Sequence, residues 1–372
     1  MRLEDFDYDL PPERIAQHPA PQRDAARMLL LDRRSGICSD GFFRDLPRHL
    51  RAGDLVIFND SRVIPARLFG RRAGLRAFPH PGPRNPARKD FLTRRVEVLL
   101  TRRRDERTWE ALVRPGRKLP VGEKILFGGN PTGPEPQPEI AAEIVGRGAF
   151  GERVLRFDWQ GEFFALLDRL GRLPLPPYIH RSPDLPESSE DRERYQTVFA
   201  RQPGSAAAPT AGLHFTPAIL QALDEQGVER GTITLEVGLG TFQPVREAEI
   251  ERHAMHTERY QIPAATADAV ARARREGRRV IAIGTTVTRA LEASYAAHGE
   301  VVASEGETDL FLYPGRPVHV VDGLLTNFHA PRSTLLMLVA AFAGREPILA
   351  AYRHAVAAGY RFLSYGDCML IK

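Results

Sequence analysis

The sequence predicts an α/β sheet domain that is interrupted by an inserted small β-barrel domain. Two observations lead to this prediction. After residue 209, apolar strand-like segments alternate with helix-like segments, as they do in βα units. Between residues 67 and 158, short strand candidates instead follow one another between Gly and Pro turns, which is typical of a small barrel. We therefore expect residues 1–66 and 159–372 to form the α/β domain and residues 67–158 to form the barrel.

The N-terminal part and the barrel have short elements. Apolar runs predict strands at Met28–Leu31 and Leu55–Phe58 and a short helix at Leu46–Leu50. The helical period returns after Glu162, and Gly/Pro-rich flexible loops are expected at 74–95 and 128–139. The predicted barrel strands are Val96–Leu100, Thr108–Val113, Lys124–Phe127, Ile140–Val145 and Arg153–Phe157.

The C-terminal half alternates helix and strand. Thr216-Pro217 is a good helix start, because Thr caps helices well and Pro suits the first helical position. Gly227 ends that helix. Further helices are predicted at Thr266–Glu276, Val287–Ala297, Pro331–Phe342 and Pro347–Ala358. Strands are predicted at Thr232–Val237, Arg279–Ile283 and Asp309–Tyr313, and a strand followed by a turn within Arg361–Asp367.

Rigid turns with polar side chains follow several of these strands. Gly238-Leu239-Gly240 follows a strand, but a dinucleotide-binding turn needs a third glycine and an immediate helix, and Pro244 forbids an uninterrupted one. A tight turn and a ligand-contacting loop both remain open for this segment. Asn59-Asp60-Ser61-Arg62 is a second polar cluster, either a ligand site or an Asx turn. Thr285 and Thr286 either bind an anion or cap their own helix.

Composition limits the cellular setting. The chain of 372 residues has no apolar run of the ~18 residues that a membrane span needs. Its first residues lack the apolar core of a signal peptide, and its two cysteines are too few for a disulfide scaffold. We expect a cytoplasmic monomer that does not associate with membranes.

Charge is distributed unevenly. Residues 62–118 hold 17 Lys and Arg against 5 Asp and Glu, which leaves 35 against 42 in the remainder. A basic module beside an acidic remainder favours binding to nucleic acid. An Arg-rich solvated surface is the alternative.

The histidines and the basic module favour two classes of function. A metal hydrolase could take ligands from its histidines and one carboxylate, but the helical H-E-x-x-H motif is absent. These candidate ligands are His214, His253, His256 and His329 with Glu258 or Asp367. A non-catalytic RNA-binding protein would explain the basic module but not the polar turns of the α/β part.

Long motifs resemble one known family. They are FNDSRVIPAR, RERYQTVFA, APTAGLHFT, VGLGTFQPV, HAMHTE, AIGTT, DGLLTNFHAPRSTLLMLVAAFAG and YRFLSYGDCMLI, and they run in order across nearly the whole chain. They resemble the S-adenosylmethionine:tRNA ribosyltransferase-isomerases of queuosine biosynthesis, whose fold is an α/β domain interrupted by a β-barrel. The chain departs from this family at Glu236, where the family usually has His.

The resemblance implies a reaction and its substrates. The ribosyl group of S-adenosylmethionine is moved onto 7-aminomethyl-7-deazaguanine at the wobble position of tRNA and isomerised to an epoxy-cyclopentane. The product is epoxyqueuosine, and adenine and methionine are released. S-adenosylmethionine is consumed as the ribosyl donor, so we expect no permanently bound cofactor and no metal.

The reaction requires a general base near the ribose C5′, groups that bind the substrates and a surface for tRNA. For catalysis we predict His214, whose ordinary pKa near ~6.5 suits proton transfer, with Glu236 and Asp60 as further candidates. The sulfonium favours aromatic faces such as Phe215, Phe242 and Phe328. We predict tRNA contacts at Arg102, Arg103 and Arg104. The predicted binding residues for S-adenosylmethionine or the modified base are Asn59, Arg62, Thr210, Gly212, Phe215, Gly238, Gly240, Thr241, Phe242, His256, Thr285, Thr286, Asn327, His329, Ser333, Thr334 and Asp367.

Overall fold

A computed structural model describes residues 1–74, 95–116, 119–129, 138–148, 152–182, 187–238 and 245–372 of the protein. These residues form two compact units, Met1–Arg62 with Leu175–Lys372, and Val63–Pro174. The first unit contains a large mixed sheet and the second a closed barrel, which confirms the predicted fold class. The predicted loops at 74–95 and 128–139 lie mostly outside the described residues.

The first unit is built around a nine-stranded sheet in the order β15-β13-β12-β3-β14-β16-β17-β1-β2. Strands β12, β3, β14 and β16 run parallel to one another. Strand β17 pairs antiparallel with β16 and parallel with β1. The strands of this unit are β1 (Arg27–Leu31), β2 (Cys38–Phe42), β3 (Leu55–Asn59), β4 (Ser61–Val63), β11 (Gln202–Ser205), β12 (Glu229–Leu235), β13 (Glu258–Ile262), β14 (Val280–Ile283), β15 (Ser304–Thr308), β16 (Gly323–Asn327) and β17 (Cys368–Ile371).

Helices of the first unit cover the sheet. Thr216 caps the helix Pro217–Glu225 as predicted, since its side chain accepts a hydrogen bond from the Ile219 N–H at 3.2 Å. The helices are α1 (Leu46–His49), α3 (Ser189–Arg194), α4 (Pro217–Glu225), α5 (Ala264–Arg275), α6 (Thr285–His298), α7 (Thr334–Ala343) and α8 (Arg345–Ala357). In the described residues no single helix reaches the length and apolar character of a membrane span, and only the pair α7 and α8, bent by 117°, does so together.

Both faces of the central strands are buried, which explains their uninterrupted apolar sequences. In β3, Leu55 and Ile57 pack into one hydrophobic cluster, whereas Val56 and Phe58 pack into another on the opposite face. This alternation follows from the two-residue period of a strand.

One strand prediction in this unit was wrong, and another prediction was right only in part. The strand expected at Asp309–Tyr313 is not formed, and the chain is a strand at Ser304–Thr308 instead. The Thr308 hydroxyl accepts the Leu310 N–H at 3.1 Å and Arg289 donates to the Leu310 carbonyl at 3.1 Å, so local side-chain bonds replace the ladder. Of the strand and turn predicted within Arg361–Asp367, the turn is present, whereas Phe362 forms only an isolated bridge with Ile15 and the last strand is Cys368–Ile371.

The second unit is a closed antiparallel barrel in the order β10-β7-β6-β5-β8-β9. Alternate residues point inward, and Trp109, Phe127 and Phe157 fill the core. Helix α2 (Phe163–Leu170) packs Phe163 and Leu167 into the same core, so this unit extends past residue 158, where the sequence analysis ended the barrel. The strands are β5 (Arg67–Arg72), β6 (Val96–Arg103), β7 (Thr108–Arg114), β8 (Lys124–Phe127), β9 (Ile140–Arg147) and β10 (Glu152–Trp159).

Close backbone packing at the end of α2 gives a stability prediction. A Cβ atom at Gly171 would lie 2.0 Å from the Pro65 carbonyl oxygen, whereas a Cβ at Gly41 would meet Met28 at an ordinary 3.5 Å. Gly171→Ala should therefore lower the free energy of unfolding by more than ~2 kcal/mol, and Gly41→Ala by less than ~0.5 kcal/mol. Urea unfolding of both variants measures the difference, and equal stabilities would contradict the described packing.

Candidate active site

A cavity of about 500 Å³ opens at the carboxyl ends of the parallel strands β14 and β16. Open α/β sheets commonly bind ligands at this edge. Its apolar walls include Ala211, Val237 and Phe328. Its polar groups are hydroxyls, an amide, an imidazole and one guanidinium, contributed by Tyr178, Thr210, Thr285, Thr286, Thr326, Asn327, His329, Arg332, Ser333 and Ser364. No carboxylate lines the cavity within the part of the chain that the structure describes.

The amino terminus of α6 lies at the cavity. Gly284 precedes it with φ 94° and ψ 159°, a conformation that is essentially restricted to glycine. Among the described residues no side chain caps this helix, and its first internal bond runs from the Thr288 N–H to the Gly284 carbonyl. The N–H groups of the first turn therefore lack helical partners and favour an anion next to Thr285 and Thr286.

Backbone strain is concentrated at this cavity. Among the described residues, the only non-glycine residues with positive φ are Arg332, at 56°, and Leu363, at 69°, and both line it. Arg332 also pairs with Asp7 at 2.8 Å. Strained backbone persists only where its surroundings hold it, and such residues cluster at functional sites.

Asn327 holds the strained turn around Leu363. Its side-chain amide donates to the carbonyls of Leu363 at 3.0 Å and Ser364 at 3.4 Å. Burial lowers the pKa of His214 to about 4, and a side-chain contact with Asn327 opposes this shift. The Asn327 Oδ1 and the His214 Nε2 are both buried, and neither has a hydrogen-bond partner among the described residues. The two side chains are therefore in contact without a hydrogen bond through these atoms.

His329 is the histidine of the cavity wall. Its Nε2 lies 2.8 Å from the Thr326 hydroxyl, and its backbone N–H donates to the Tyr352 hydroxyl at 3.1 Å. Burial lowers the pKa of His329 to about 3. The imidazole is therefore neutral at pH 7, as is that of His214.

The structure brings six predicted binding residues together on the cavity: Thr210, Thr285, Thr286, Asn327, His329 and Ser333. Thr334 is the first residue of α7, whose amino terminus Ser333 caps. Residues Gly240, Thr241 and Phe242 lie outside the described residues.

Other predicted residues do not line the cavity. The Asn59 amide is fully used by Leu235, Ser61 and Thr286, and Asp60 accepts the Thr234 hydroxyl at 2.6 Å while burial raises the pKa of Asp60. The remaining positions outside the lining are His214, Arg62, Gly212, Phe215, Glu236, Gly238, His256 and Asp367.

The local packing of these residues explains their positions. Phe215 is fully buried and stacks edge-on with Phe43 and Phe58, and the His214 ring lies over Phe43 with centroids 5.3 Å apart. Glu236 packs on Gly204, so its side chain lies against β11.

Gly212 packs against Thr197 and Phe199, where a Cβ would come within 2.8 Å of both side chains. The Gly238 N–H donates to the buried Glu258 carboxylate at 3.1 Å. His256 and Arg62 are exposed.

The Asp367 carboxylate binds backbone N–H groups of the protein rather than facing the cavity. It accepts the N–H groups of Arg27 at 2.9 Å and Arg361 at 2.8 Å, and burial raises the pKa of Asp367.

The predicted tRNA-contacting arginines lie on the barrel. Arg102 and Arg103 end β6, and Arg104 follows it. Glu110 pairs with Arg104 at 2.8 Å and with Arg102 at 3.8 Å, and both guanidiniums stay at least one-third exposed. Exposed ion pairs of this kind contribute only ~0–1 kcal/mol to stability. Arg102 and Arg104 can therefore release Glu110 and pair with another anion.

Sequence reasoning missed Tyr178, Leu363 and Ser364 in the cavity wall. The Tyr178 and Ser364 hydroxyls lie 2.6 Å apart although 186 positions separate them in the chain. No local pattern signals such a contact. Among the described residues, no three His, Cys, Asp or Glu side chains are grouped so that they could hold a metal ion.

A mixed α/β sheet with a ligand-sized cavity at its carboxyl edge, joined in one chain to a closed barrel, defines an α/β enzyme with an inserted β-barrel. The profile of the family described as "Queuosine biosynthesis protein" matches residues 3–371. The chain belongs to this family.

Individual relatives are similar over their whole length. The S-adenosylmethionine:tRNA ribosyltransferase-isomerase of Solibacter usitatus is 52% identical and that of Thermus thermophilus is 51% identical, with 100% and 99% of both chains covered. Among solved structures, the S-adenosylmethionine tRNA ribosyltransferase of Thermotoga maritima is 34% identical with a TM-score of 0.53, and 99% of this chain and 100% of that chain are covered.

The two buried histidines predict how stability depends on pH. Their pKa values in the folded protein, about 4 for His214 and about 3 for His329, lie below the ordinary 6.5. Their stabilising effect is complete above pH 6.5 and is lost as the pH falls toward 4 and 3, because the unfolded chain binds the protons first. Between pH 7 and pH 5 we expect each histidine to account for a loss of ~2 kcal/mol.

Urea unfolding of the wild type and of His329→Gln at both pH values measures this effect. The variant should lose less stability than the wild type on acidification, by roughly the contribution of one histidine. The exposed His18→Gln is the matched control. An unchanged pH dependence in His329→Gln would contradict the buried, neutral state of His329.

Proposed function

We propose that this protein transfers the ribosyl group of S-adenosylmethionine to 7-aminomethyl-7-deazaguanine at the wobble position of tRNA and isomerises it. The product is epoxyqueuosine, and adenine and methionine leave. Relatives about 50% identical over the full chain carry the name of this enzyme. The observation that carries the proposal within the structure is the cavity at the carboxyl ends of β14 and β16, with the amino terminus of α6 at its wall.

The chemistry of S-adenosylmethionine matches this cavity part by part. Its carboxylate is an anion, and the N–H groups at Thr285 and Thr286 favour an anion. Its sulfonium is a cation that favours aromatic faces, and Phe328 and Tyr178 are the aromatic residues of the wall. Its adenine is largely apolar on both faces and suits the surfaces of Val237 and Ala211.

The reaction begins with loss of a proton from the ribose carbon next to sulfur, so an unprotonated base must lie within reach of it. We propose His214 as this base, with Glu236 and Asp60 as the next candidates. His214 is neutral, but its ring borders a separate small pocket that shares Ser364 with the cavity. His329, which lines the cavity itself, is a further candidate.

The tRNA substrate is a polyanion, and the basic stretch of residues 62–118 suits it. We propose that Arg102, Arg103 and Arg104 contact tRNA phosphates. The protein acts without a permanently bound cofactor or metal, as a monomer in the cytoplasm.

Turnover is tested directly by incubating the protein with S-adenosylmethionine and tRNA that carries 7-aminomethyl-7-deazaguanine. Mass spectrometry of the digested nucleosides should show epoxyqueuosine, with free adenine and methionine in equal amounts. A chelator should leave the rate unchanged. Release of a methylated nucleoside, or no change in the tRNA, would contradict the proposed function.

Substitution of the two buried histidines tests the identity of the base. His214→Gln keeps hydrogen-bonding capacity but removes basicity, so kcat should fall by roughly 10²-fold or more while the affinity for S-adenosylmethionine barely changes. His329→Gln is the matched comparison, since that ring is equally buried. Normal turnover by His214→Gln, with the loss appearing in His329→Gln, would transfer the role to His329.

A further inference from the structure

Three arginines meet at a small pocket beside the cavity. Arg23 belongs to a 3₁₀ turn near the N-terminus, Arg194 ends α3, and Arg361 lies in the turn before β17. All three line this pocket of about 20 Å³, and Ser364 lines both the pocket and the cavity. Positive charge from three distant parts of the chain is therefore concentrated next to the proposed substrate site.

Backbone carbonyls hold these guanidiniums in place. Arg23 donates to the carbonyls of Leu213 at 3.1 Å and Glu193 at 2.9 Å. Arg194 donates to those of Ala20 at 2.7 Å and Pro21 at 3.3 Å, and Arg361 donates to that of His18 at 3.2 Å. Neutral carbonyls fix the direction of a guanidinium but do not neutralise its charge.

The charge of the cluster is poorly compensated. Within the described residues, the only carboxylate within 4.0 Å of the three guanidiniums is Asp367, at 4.0 Å from Arg361, and its oxygens already accept two backbone N–H groups. The neighbouring Arg181 differs, because it forms a two-pronged ion pair with Asp191 at 2.7 and 2.9 Å.

Electrostatics at Arg23 agree with this description. Burial lowers the pKa of Arg23 most, and the positive charge of Arg194 lowers it further. Glu193 and Tyr365 raise the pKa of Arg23 by smaller amounts. His214, which also borders the pocket, is neutral and adds no negative charge. Arg23 and Arg194 therefore repel one another, and among the described residues Glu193 offsets this repulsion only in part.

Donors remain available for an anion. A guanidinium has five N–H groups, and the bonds described above use only one or two on each arginine. The Nε of Arg194 is buried without a hydrogen-bond partner in the described chain. The pocket itself has room for little more than a water molecule, so an anion must sit at its mouth.

We propose that Arg23, Arg194 and Arg361 bind a backbone phosphate of the RNA strand, close to the nucleotide that reacts in the cavity. This inference rests on the proposed function and names a second tRNA contact, on the α/β unit. Planar guanidiniums match phosphate oxygens with paired hydrogen bonds. Phosphate contacts of this kind fix the register of a nucleic acid without reading its sequence.

The double variant Arg194→Gln/Arg361→Gln tests the proposal. Arg275→Gln/Arg353→Gln is its matched control, because it removes the same charge from exposed positions on α5 and α8. Affinity for the modified tRNA is measured across a series of KCl concentrations. The pocket variant should bind tRNA about tenfold more weakly than the control, and the slope of log Kd against log salt should be smaller by roughly one to two.

Folding and the proposed function are checked separately. Unchanged affinity for S-adenosylmethionine shows that the pocket variant is folded, and if it does not fold, Arg361→Gln alone is measured in the same way. Loss of tRNA affinity in the pocket variant, in a protein that makes no epoxyqueuosine, would support the phosphate site and contradict the proposed function.

Two results would overturn the phosphate site. The first is a tRNA affinity and salt slope equal to those of the control variant. The second comes from calorimetric titration of the wild type with inorganic phosphate without RNA. Saturation at micromolar concentrations, abolished in the pocket variant, would assign the pocket to a free anion.

Discussion

The side-chain amide of Asn59 ties together three elements next to the cavity. Its oxygen accepts the N–H groups of Ser61 and Leu235, each at 3.0 Å, and its nitrogen donates to the Leu235 carbonyl at 3.0 Å and to the Thr286 hydroxyl at 3.3 Å. One amide thus joins β3, β12 and the first turn of α6. A buried donor or acceptor left without a partner costs ~1–3 kcal/mol, so this arrangement fixes the position of the helix start.

The cavity combines one guanidinium, from Arg332, and otherwise neutral polar groups with strained backbone. Asn327 plays at β16 the role that Asn59 plays at β3, because it holds the Leu363–Ser364 backbone against an unfavourable φ at Leu363. Burial keeps His214 and His329 uncharged. A substrate with a cationic sulfonium would meet hydroxyls, aromatic rings, one helix start and the Arg332 guanidinium, which is paired with Asp7 at 2.8 Å.

The sequence predicted the domain architecture because hydrophobic period and turn residues are local signals. The alternation in Val96–Leu100 and the apolar run in Val280–Ile283 are each readable within a few residues. The site was predictable only in part. Thr285, Asn327 and His329 follow strands that meet at one edge, so their proximity could be expected. The orientation of His214 toward Phe43, and the contact of Tyr178 with Ser364, depend on tertiary packing between distant segments.

The central claim is that the cavity binds S-adenosylmethionine with its carboxylate at the amino terminus of α6. A crystal structure of the protein with S-adenosylmethionine bound tests it most directly. The account predicts carboxylate oxygens within hydrogen-bond distance of the N–H groups of Thr285 and Thr286, and the sulfonium near Phe328. A ligand bound outside this cavity, or one whose carboxylate lies away from α6, would contradict it.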